Sequence, residues 1–146
     1  MKIQKLKLIA KTEDDLRVIS AHLQDSIVKI SDIASLKKNR LFLMQLNRFM
    51  WEDVEKGVFR KNKRIRTVIK FENVINVMSK NINQNIERFL DFLTIKSSKN
   101  PNENYNINLI FSGDIIIKLE VEAIEVTLDD QGSPWESKNR PKHKDI

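Results

Sequence analysis

The strongest constraint on the fold is an alternating pattern over residues 105–123. Apolar residues occupy every second position on both sides of Ser112-Gly113-Asp114, with asparagine, lysine and glutamate between them. Because the side chains of a strand point alternately to its two faces, this pattern predicts two strands with one buried face each. Ser112-Gly113-Asp114 is a typical tight connection between such strands. The segment is therefore predicted to form an antiparallel hairpin.

Six further segments have the apolar patterns of strands: 2–10, 27–36, 40–50, 64–70, 74–82 and 88–97. Segment 40–50 is apolar on both faces, which predicts a central strand. Segments 64–70 and 74–82 are expected to pair with each other as a hairpin. A short helix remains an alternative for 88–97. Residues 124–131 either continue the last strand or form a short helix that ends at Gly132.

One helix is predicted near the N-terminus. Thr12 can cap its first turn, and the next three residues are acidic, which suits the positive end of a helix. Leu16, Ile19 and Leu23, continued by Ile27, give one apolar stripe over about four turns. The helix runs without glycine or proline into the strand that begins at Ile27.

Together these elements predict the class α+β, with a single domain. The expected architecture is a mostly antiparallel curved sheet or partial barrel of about seven to eight strands, with the N-terminal helix packed against it. Residues 1–134 are assigned to the domain. Residues 135–146 are predicted to be a polar basic tail that is flexible beyond Trp135, and Trp135 itself is expected to close one end of the sheet.

Composition narrows the class of protein. The chain has 146 residues, of which 40% are hydrophobic, and it has no cysteine. No apolar run reaches the roughly 20 residues of a membrane-spanning helix, and the N-terminus does not have the pattern of a signal peptide. A cytoplasmic protein without disulfides is predicted. Glycine occurs only three times, which excludes the glycine-rich loops that bind nucleotides, and no cofactor is predicted.

The formal net charge is +6, and the densest run of cations lies at residues 60–66, with a second basic turn at Lys37, Lys38 and Arg40. The run contains Arg60, Lys61, Lys63, Arg64 and Arg66. Cations in such a density can contact the phosphates of RNA or a phosphorylated partner. Alternatively, the run is a solvated loop, and the charge reflects the lysine- and asparagine-rich composition of an AT-rich genome.

Two groups of polar residues were considered for chemistry. His22 and Asp25 are three positions apart, a spacing that on a helix lets a carboxylate orient an imidazole as a general base. The same spacing also suits a half-buried histidine and a polar residue at a turn. Glu120 and Glu122 share one strand face, but such alternation is also typical of a solvated surface, and no metal site is predicted.

The chain resembles a known family at several motifs. These are AHLQD (21–25), DIASL (32–36), LNRFMWE (46–52), LEVEAIEVTLDDQGSPW (119–135) and the terminal RP (140–141). On them the chain resembles a family of small alphaproteobacterial proteins known only as a domain of unknown function. The resemblance implies a single cytoplasmic domain and carries no activity, cofactor or catalytic residue.

The sequence therefore favours a non-catalytic interaction domain that binds a protein partner or associates with itself through an open sheet edge. RNA binding through residues 60–66 is one alternative. A small-ligand carrier or an enzyme with a pocket near His22 and Asp25 is the other.

Overall fold

The computed structural model describes residues 5–52, 63–82 and 88–136. Within these ranges the chain forms one α-helix, one short 3-10 helix and nine strands. In chain order they are β1 (Lys7–Ala10), α1 (Glu13–Leu23), β2 (Ile27–Leu36), the 3-10 helix (Lys37–Asn39), β3 (Leu41–Phe49), β4 (Lys63–Phe71), β5 (Val74–Lys80), β6 (Phe89–Lys99), β7 (Tyr105–Phe111), β8 (Ile115–Val121) and β9 (Val126–Glu136).

The nine strands form one antiparallel sheet in the order β1-β9-β4-β3-β2-β6-β7-β8-β5. The sheet is not closed, because β1 and β5 lie at its two ends. The predicted class, an α+β domain with a large curved antiparallel sheet and an N-terminal helix, is confirmed. The sheet has nine strands, since residues 126–136 form a separate strand and not an extension of β8. Segment 40–50 is central, as expected, with β2 on one side and β4 on the other.

Two neighbouring bends fold the sheet over on itself. One connects β4 to β5 at Glu72–Asn73, and the other connects β8 to β9 at residues 122–125. The bends are joined by backbone hydrogen bonds from Glu72 N to Glu125 O and from Glu122 N to Asn73 O. Because β4 pairs with β9 and β5 pairs with β8, the two strand pairs bend together.

This arrangement contradicts the predicted hairpin of segments 64–70 and 74–82. Both segments are strands, but β4 and β5 belong to different parts of the sheet and do not pair. The physical reason lies in the connection. Asn73 adopts a left-handed conformation (φ 58°), and the chain uses it to turn a corner between layers, as strands do where two packed sheets meet.

The hydrophobic core lies between the two halves of the folded sheet and beneath α1. It is lined by Leu16, Ile19 and Leu23 of the helix and by the inward side chains of the strands. The largest of these are four phenylalanines: Phe42, Phe71, Phe92 and Phe111. They pack as two edge-to-face pairs with ring centroids 6.1 and 5.5 Å apart. The alternating strands therefore bury the face that their apolar residues predict.

Helix α1 begins as predicted and ends earlier. Thr12 caps it by accepting from the Asp15 N–H, and the Asp15 carboxylate accepts in return from the Thr12 N–H. The helix ends at Leu23, so it has 11 residues and not the four turns expected. Asp25 turns the chain with a positive φ of 63°, and Ile27 begins β2 in place of extending the apolar stripe of the helix. No helix in the described ranges is long and apolar enough to cross a membrane.

Strand β2 has a large irregularity in its middle. Val28 pairs with Leu46 of β3, but the next paired residue of β2 is Ile33, which pairs with Met44. Residues 29–32 are therefore looped out of the ladder. On its other edge, β2 pairs with β6 only from Ile27 to Lys29. Beyond this point the second half of β2 separates from β6 and continues with β3 alone among the described residues.

The remaining predictions near the C-terminal half have clear outcomes. The segment 88–97 is a strand and not a helix, since β6 begins at Phe89 and continues to Lys99. The hairpin around Gly113 is confirmed, with Phe111 opposite Ile115. Gly132 does not end a helix; it has a φ of 68° within β9, where the pairing with β4 shifts between Arg64 and Arg66. Trp135 lies in β9 opposite Arg64 and is 41% exposed, while residues 137–146 of the predicted tail lie outside the described residues.

Candidate functional site

The turn between α1 and β2 is held from three sides. The Asp25 N–H donates to Phe92 O, and the Phe92 N–H donates to Ser26 O, both at 2.8 Å. The Trp51 Nε1–H donates to Gln24 O at 2.8 Å. Arg64 Nη1 donates to Asp25 O at 3.1 Å. Strands β6 and β4 and the residues after β3 thus converge on this turn.

The predicted pair His22 and Asp25 lies at this turn without the helical geometry that the prediction assumed. Because α1 ends at Leu23, Asp25 lies beyond the helix, and the spacing of three no longer aligns the two side chains on one helical face. The charge of His22 is a minor cause that lowers the pKa of the Glu52 carboxyl, after the hydrogen bonds and charge of Arg48. The role of the pair as a general base stays a prediction.

A groove of about 300 Å³ runs between α1 and β6. It is lined by Arg17, Ser20, Ala21, Gln24, Leu93, Thr94 and Ile95. His22 and Asp25 are not among these residues, so this groove does not hold the predicted pair. Ser20 Oγ accepts from the Ile95 N–H at 2.9 Å, and this hydrogen bond ties the helix to the edge of β6.

A buried ion network lies next to the turn. Arg48 Nε and Nη2 donate to the two oxygens of Asp130 at 2.9 and 2.7 Å. Arg48 Nη1 and Nη2 donate to the two oxygens of Glu52 at 2.9 and 2.8 Å. Asp130 also accepts from Thr67 Oγ1 and from the Leu6 N–H, both at 2.8 Å. The side chains of Arg48 and Asp130 are fully buried, whereas Glu52 keeps 20% exposure.

The network keeps both carboxyls ionised. Burial opposes the charge of Asp130, but hydrogen bonds from Arg48, Leu6 and Thr67 outweigh it and lower its pKa below the ordinary value. Burial likewise opposes the charge of Glu52, and the hydrogen bonds and charge of Arg48 lower its pKa. The two carboxylates in turn raise the pKa of Arg48, despite its burial.

This network joins distant parts of the chain and is structural in character. Each oxygen of Asp130 accepts two hydrogen bonds, and four donor contacts of Arg48 are used by the two acids. Groups saturated in this way have little capacity left to bind a substrate or to transfer a proton. The sequence prediction did not include Arg48, Glu52 or Asp130. One available signal was a charged residue in an otherwise apolar inward register, at Arg48 in β3 and at Asp130 in β9.

The predicted basic run is divided by the structure. Arg60 and Lys61 lie outside the described residues. Lys63, Arg64 and Arg66 lie on β4. Arg64 is half-buried over the Phe49 ring, 5.7 Å from its centroid, and also donates to Asn47 O at 3.1 Å. Its pKa is lowered by burial, in spite of the nearby charges of Asp25 and Asp91.

Arg66 differs from Arg64, because it is exposed on the outer face of the sheet, between Asn47 of β3 and Gln131 of β9. Of the described cations in the run, Arg64 is therefore part of the packing around the α1–β2 turn, and Arg66 is available to solvent.

The acidic residues that were considered for metal binding have other partners. Glu120 accepts from the side-chain amides of Asn100 and Asn104, at 3.0 and 3.3 Å. Glu122 forms an ion pair with Arg40 at 2.7 Å. Within the described residues, no group of three histidine, aspartate or glutamate side chains is arranged to hold a metal ion.

An opening separates the second half of β2 from β5. Its cavity has a volume of about 210 Å³ and is lined by Ser35, Lys37, Arg40 and Leu41 on one side and by residues 74–77 of β5 on the other. The Val74 N–H donates to Arg40 O at 3.0 Å and holds the two walls together at one end. Beyond this contact, β5 pairs with β8 and with no other strand in the described ranges.

Three large apolar side chains are exposed on the strands that flank the opening, and of these Ile75 lines its cavity, whereas Met78 lines a separate one beside Lys118 and Glu120. Leu36, at the end of β2, is 45% exposed. Ile75 and Met78, on β5, are 37% and 55% exposed. Two strands therefore form the walls of one cavity, and Ile75 is the exposed large apolar residue of its lining.

Comparison with known families places the whole described structure within one of them. The family described as "Protein of unknown function (DUF2948)" matches residues 6–143. The chain belongs to the DUF2948 family.

In this DUF2948 member, three of the motifs on which the sequence resembles its family meet in space. The motif at 21–25 forms the α1–β2 turn, the motif at 46–52 contributes Arg48 and Glu52, and the motif at 119–135 contributes Asp130. The DUF2948 motifs thus coincide with the buried network and the turn beside it. A search of curated proteins and a search of solved structures each gave no match.

Proposed function

We propose that this protein is a non-catalytic, cytoplasmic interaction domain that binds an extended segment of a protein partner by strand addition. The observation that carries the proposal is the opening between β2 and β5, where two strand edges face one cavity. An extended peptide placed there adds a strand to the sheet and satisfies backbone groups that the strand edges present.

The side chains around the opening favour a particular peptide. Leu41, Ile75 and Val77 of the lining supply apolar contacts for residues of an added strand. Lys37 belongs to the lining, as does Arg40, whose side chain pairs with Glu122, and none of the described residues that line the cavity is acidic. The partner segment is therefore an extended peptide in which apolar residues alternate with aspartate or glutamate.

The experiment uses a library of random peptides displayed on phage, selected on the purified full chain. We expect the selected peptides to alternate apolar and acidic residues and to bind with micromolar affinity in fluorescence anisotropy. Ile75→Glu places a negative charge on the edge of β5 and should weaken binding about tenfold or more. Ile9→Glu is the matched control, because Ile9 is an exposed isoleucine on β1, the opposite edge strand, and it should bind like the wild type.

A second variant tests the location directly. Since the chain has no cysteine, Ser35→Cys and Asn76→Cys place a unique pair of thiols on the two walls of the opening. Bridging them with a short bifunctional maleimide should abolish peptide binding, and the unbridged double variant should retain it.

Equal binding by the bridged protein would overturn the proposal. So would selected peptides that do not discriminate Ile75→Glu from Ile9→Glu. Concentration-dependent dimerisation in analytical ultracentrifugation, lost in Ile75→Glu and without peptide selection, would replace the peptide with a second copy of this chain.

A further inference from the structure

A second cavity lies on the opposite, outer face of the sheet. It has a volume of about 200 Å³. Its lining is formed by Ile27, Lys29, Asp32, Gln45, Leu46, Asn47, Arg66 and Phe89. It shares no lining residue with the opening between β2 and β5.

The cavity results from the irregularity of β2. Residues 29–32 loop out between the pairs Val28–Leu46 and Ile33–Met44, so Lys29 and Asp32 form a wall beside the flat surface of β3 and β4. Bulges of this kind redirect side chains and are frequent next to binding sites. Here the bulge turns a sheet face into a shallow pocket with polar walls.

An aromatic ring at the rim is the most unusual part of this surface. Phe89 is 65% exposed, the highest value among the large apolar residues of the described chain. It lies on β6 directly opposite Lys29 of β2. A strand residue of this size in contact with water gains from a flat apolar ligand that stacks on it.

Cations and hydrogen-bonding groups surround the ring. Arg66 is exposed and lies opposite Asn47, whose amide also lines the cavity together with that of Gln45. Asp32 adds a carboxylate acceptor to the lining. The next outward acidic residue of β6, Asp91, lies in the field of Arg64. Of the two cations that line this cavity, Arg66 is the one on which the inference rests, because its side chain is exposed on the outer face.

We infer that this cavity binds an unpaired nucleotide of a single-stranded nucleic acid. The base stacks on Phe89, and its edge hydrogen-bonds to Asp32, Gln45 or Asn47. A neighbouring phosphate contacts Arg66. Stacking on an aromatic side chain combined with phosphate contacts is how many sheet surfaces bind unpaired bases. This site shares no residue with the peptide-binding opening, so it would give the protein a second binding activity besides the proposed one.

The test measures fluorescence anisotropy of labelled oligonucleotides of about eight nucleotides, in RNA and DNA forms of each base. The salt concentration is varied between about 50 and 200 mM. Phe89→Ala should weaken binding about tenfold, whereas Phe89→Trp, which keeps an aromatic face, should bind within about threefold of the wild type. Arg66→Gln should reduce the dependence on salt by about one phosphate contact.

Lys70→Gln is the matched control for charge. Lys70 is on the same strand and the same outer face as Arg66, but it does not line the cavity. It should leave affinity and salt dependence unchanged. Equal affinities for the RNA and DNA oligonucleotides would mean that the protein recognises only the base and the phosphate. A higher affinity for RNA would mean that it also contacts the 2′-hydroxyl.

Unchanged affinity in Phe89→Ala would overturn the inference, because the stacking contact is its centre. An equal loss in Lys70→Gln and Arg66→Gln would also overturn it, since the binding would then be a property of the overall charge. Absence of binding to every oligonucleotide at the lowest salt would leave Phe89 as a contact for a protein.

Discussion

The buried ion network and the opening between β2 and β5 use similar residue types in opposite ways. In the network, the Arg48 guanidinium is enclosed by two carboxylates and is fully buried. At the opening, Lys37 and Arg40 lie beside exposed apolar side chains and strand edges. The difference is one of burial, because Arg40 also pairs with a carboxylate, Glu122, but that ion pair is exposed to solvent. A charge that is paired inside the protein cannot lose its partner without a large loss of stability, whereas polar groups on an open edge are accessible to a partner.

The largest expected effect comes from removing the centre of the network. Arg48→Met should lower the free energy of unfolding by about 3–5 kcal/mol, because it leaves Asp130 buried without its cation. Urea denaturation measures the change. The control is Arg17→Met, which removes an exposed ion pair with Asp14 and should have little effect. Similar decreases in the free energy of unfolding of the two variants would mean that the buried network stabilises the protein no more than the exposed ion pair does.

The second prediction concerns the stability of the protein at acid pH. The pKa values of Asp130 and Glu52 are lowered in the folded protein from ordinary values of 3.8 and 4.5. Below those values the unfolded chain binds more protons than the folded one, so stability decreases as the pH falls. Each carboxyl contributes a slope of up to about 1.4 kcal/mol per pH unit.

The comparison is between urea denaturation of the wild type and of Asp130→Asn over a pH series. Asp130→Asn removes one of the two titrating groups, so its stability should depend less on pH in the acid range. A wild-type stability that is constant from neutral pH to well below 4 would contradict the proposed ionisation of the network.

Two arginines of the basic run provide a smaller and more local comparison. Arg64→Gln should lower the free energy of unfolding by about 1 kcal/mol, because it removes hydrogen bonds to Asp25 O and Asn47 O. Arg66→Gln should change it by much less, since Arg66 is exposed. Thermal denaturation of both variants measures the two changes in stability. Equal effects would show that the run acts as one surface.

The smallest expected effect is at the edge of β5. Met78→Lys should change the free energy of unfolding by less than about 0.5 kcal/mol, because Met78 is 55% exposed. Met44 is a matched methionine on the central strand β3, with no exposed surface, and Met44→Lys should unfold the protein. A strongly destabilised Met78→Lys variant would show that β5 is covered and not open.

Most helices and strands could be predicted from the sequence, but the way in which the strands pair could not. Alternation identified the strands, and Thr12 with its acidic neighbours identified the start of α1, because both signals are local. The predicted hairpin of β4 and β5 failed because the pairing of a strand depends on partners far along the chain. β4 pairs with β9, more than fifty residues away, and a short turn signal contains no information about it.

The site was harder to predict for the same reason. Arg48 and Asp130 are 82 positions apart, and each alone looks like an ordinary charged residue in a strand. His22 and Asp25 were chosen from a local spacing, and the helix ends between them. Phe89 was assigned to a strand on the same face as Asp91 and Leu93, and all three are exposed, but the cavity beside Phe89 depends on the bulge in β2, which leaves no recognisable pattern in the sequence.

The position of β9 has a consequence for synthesis of the protein. This last strand pairs with β1 and β4 and carries Asp130, the second carboxylate of Arg48. A ribosome adds about 5–20 residues per second, so Arg48 emerges several seconds before Asp130 exists. The strands β7 and β8 can pair as soon as they are made. The half of the sheet around β3 and β4 lacks β9 until residues 126–136 have been made, and in a nascent chain stalled before residue 126 Arg48 would lack its Asp130 partner.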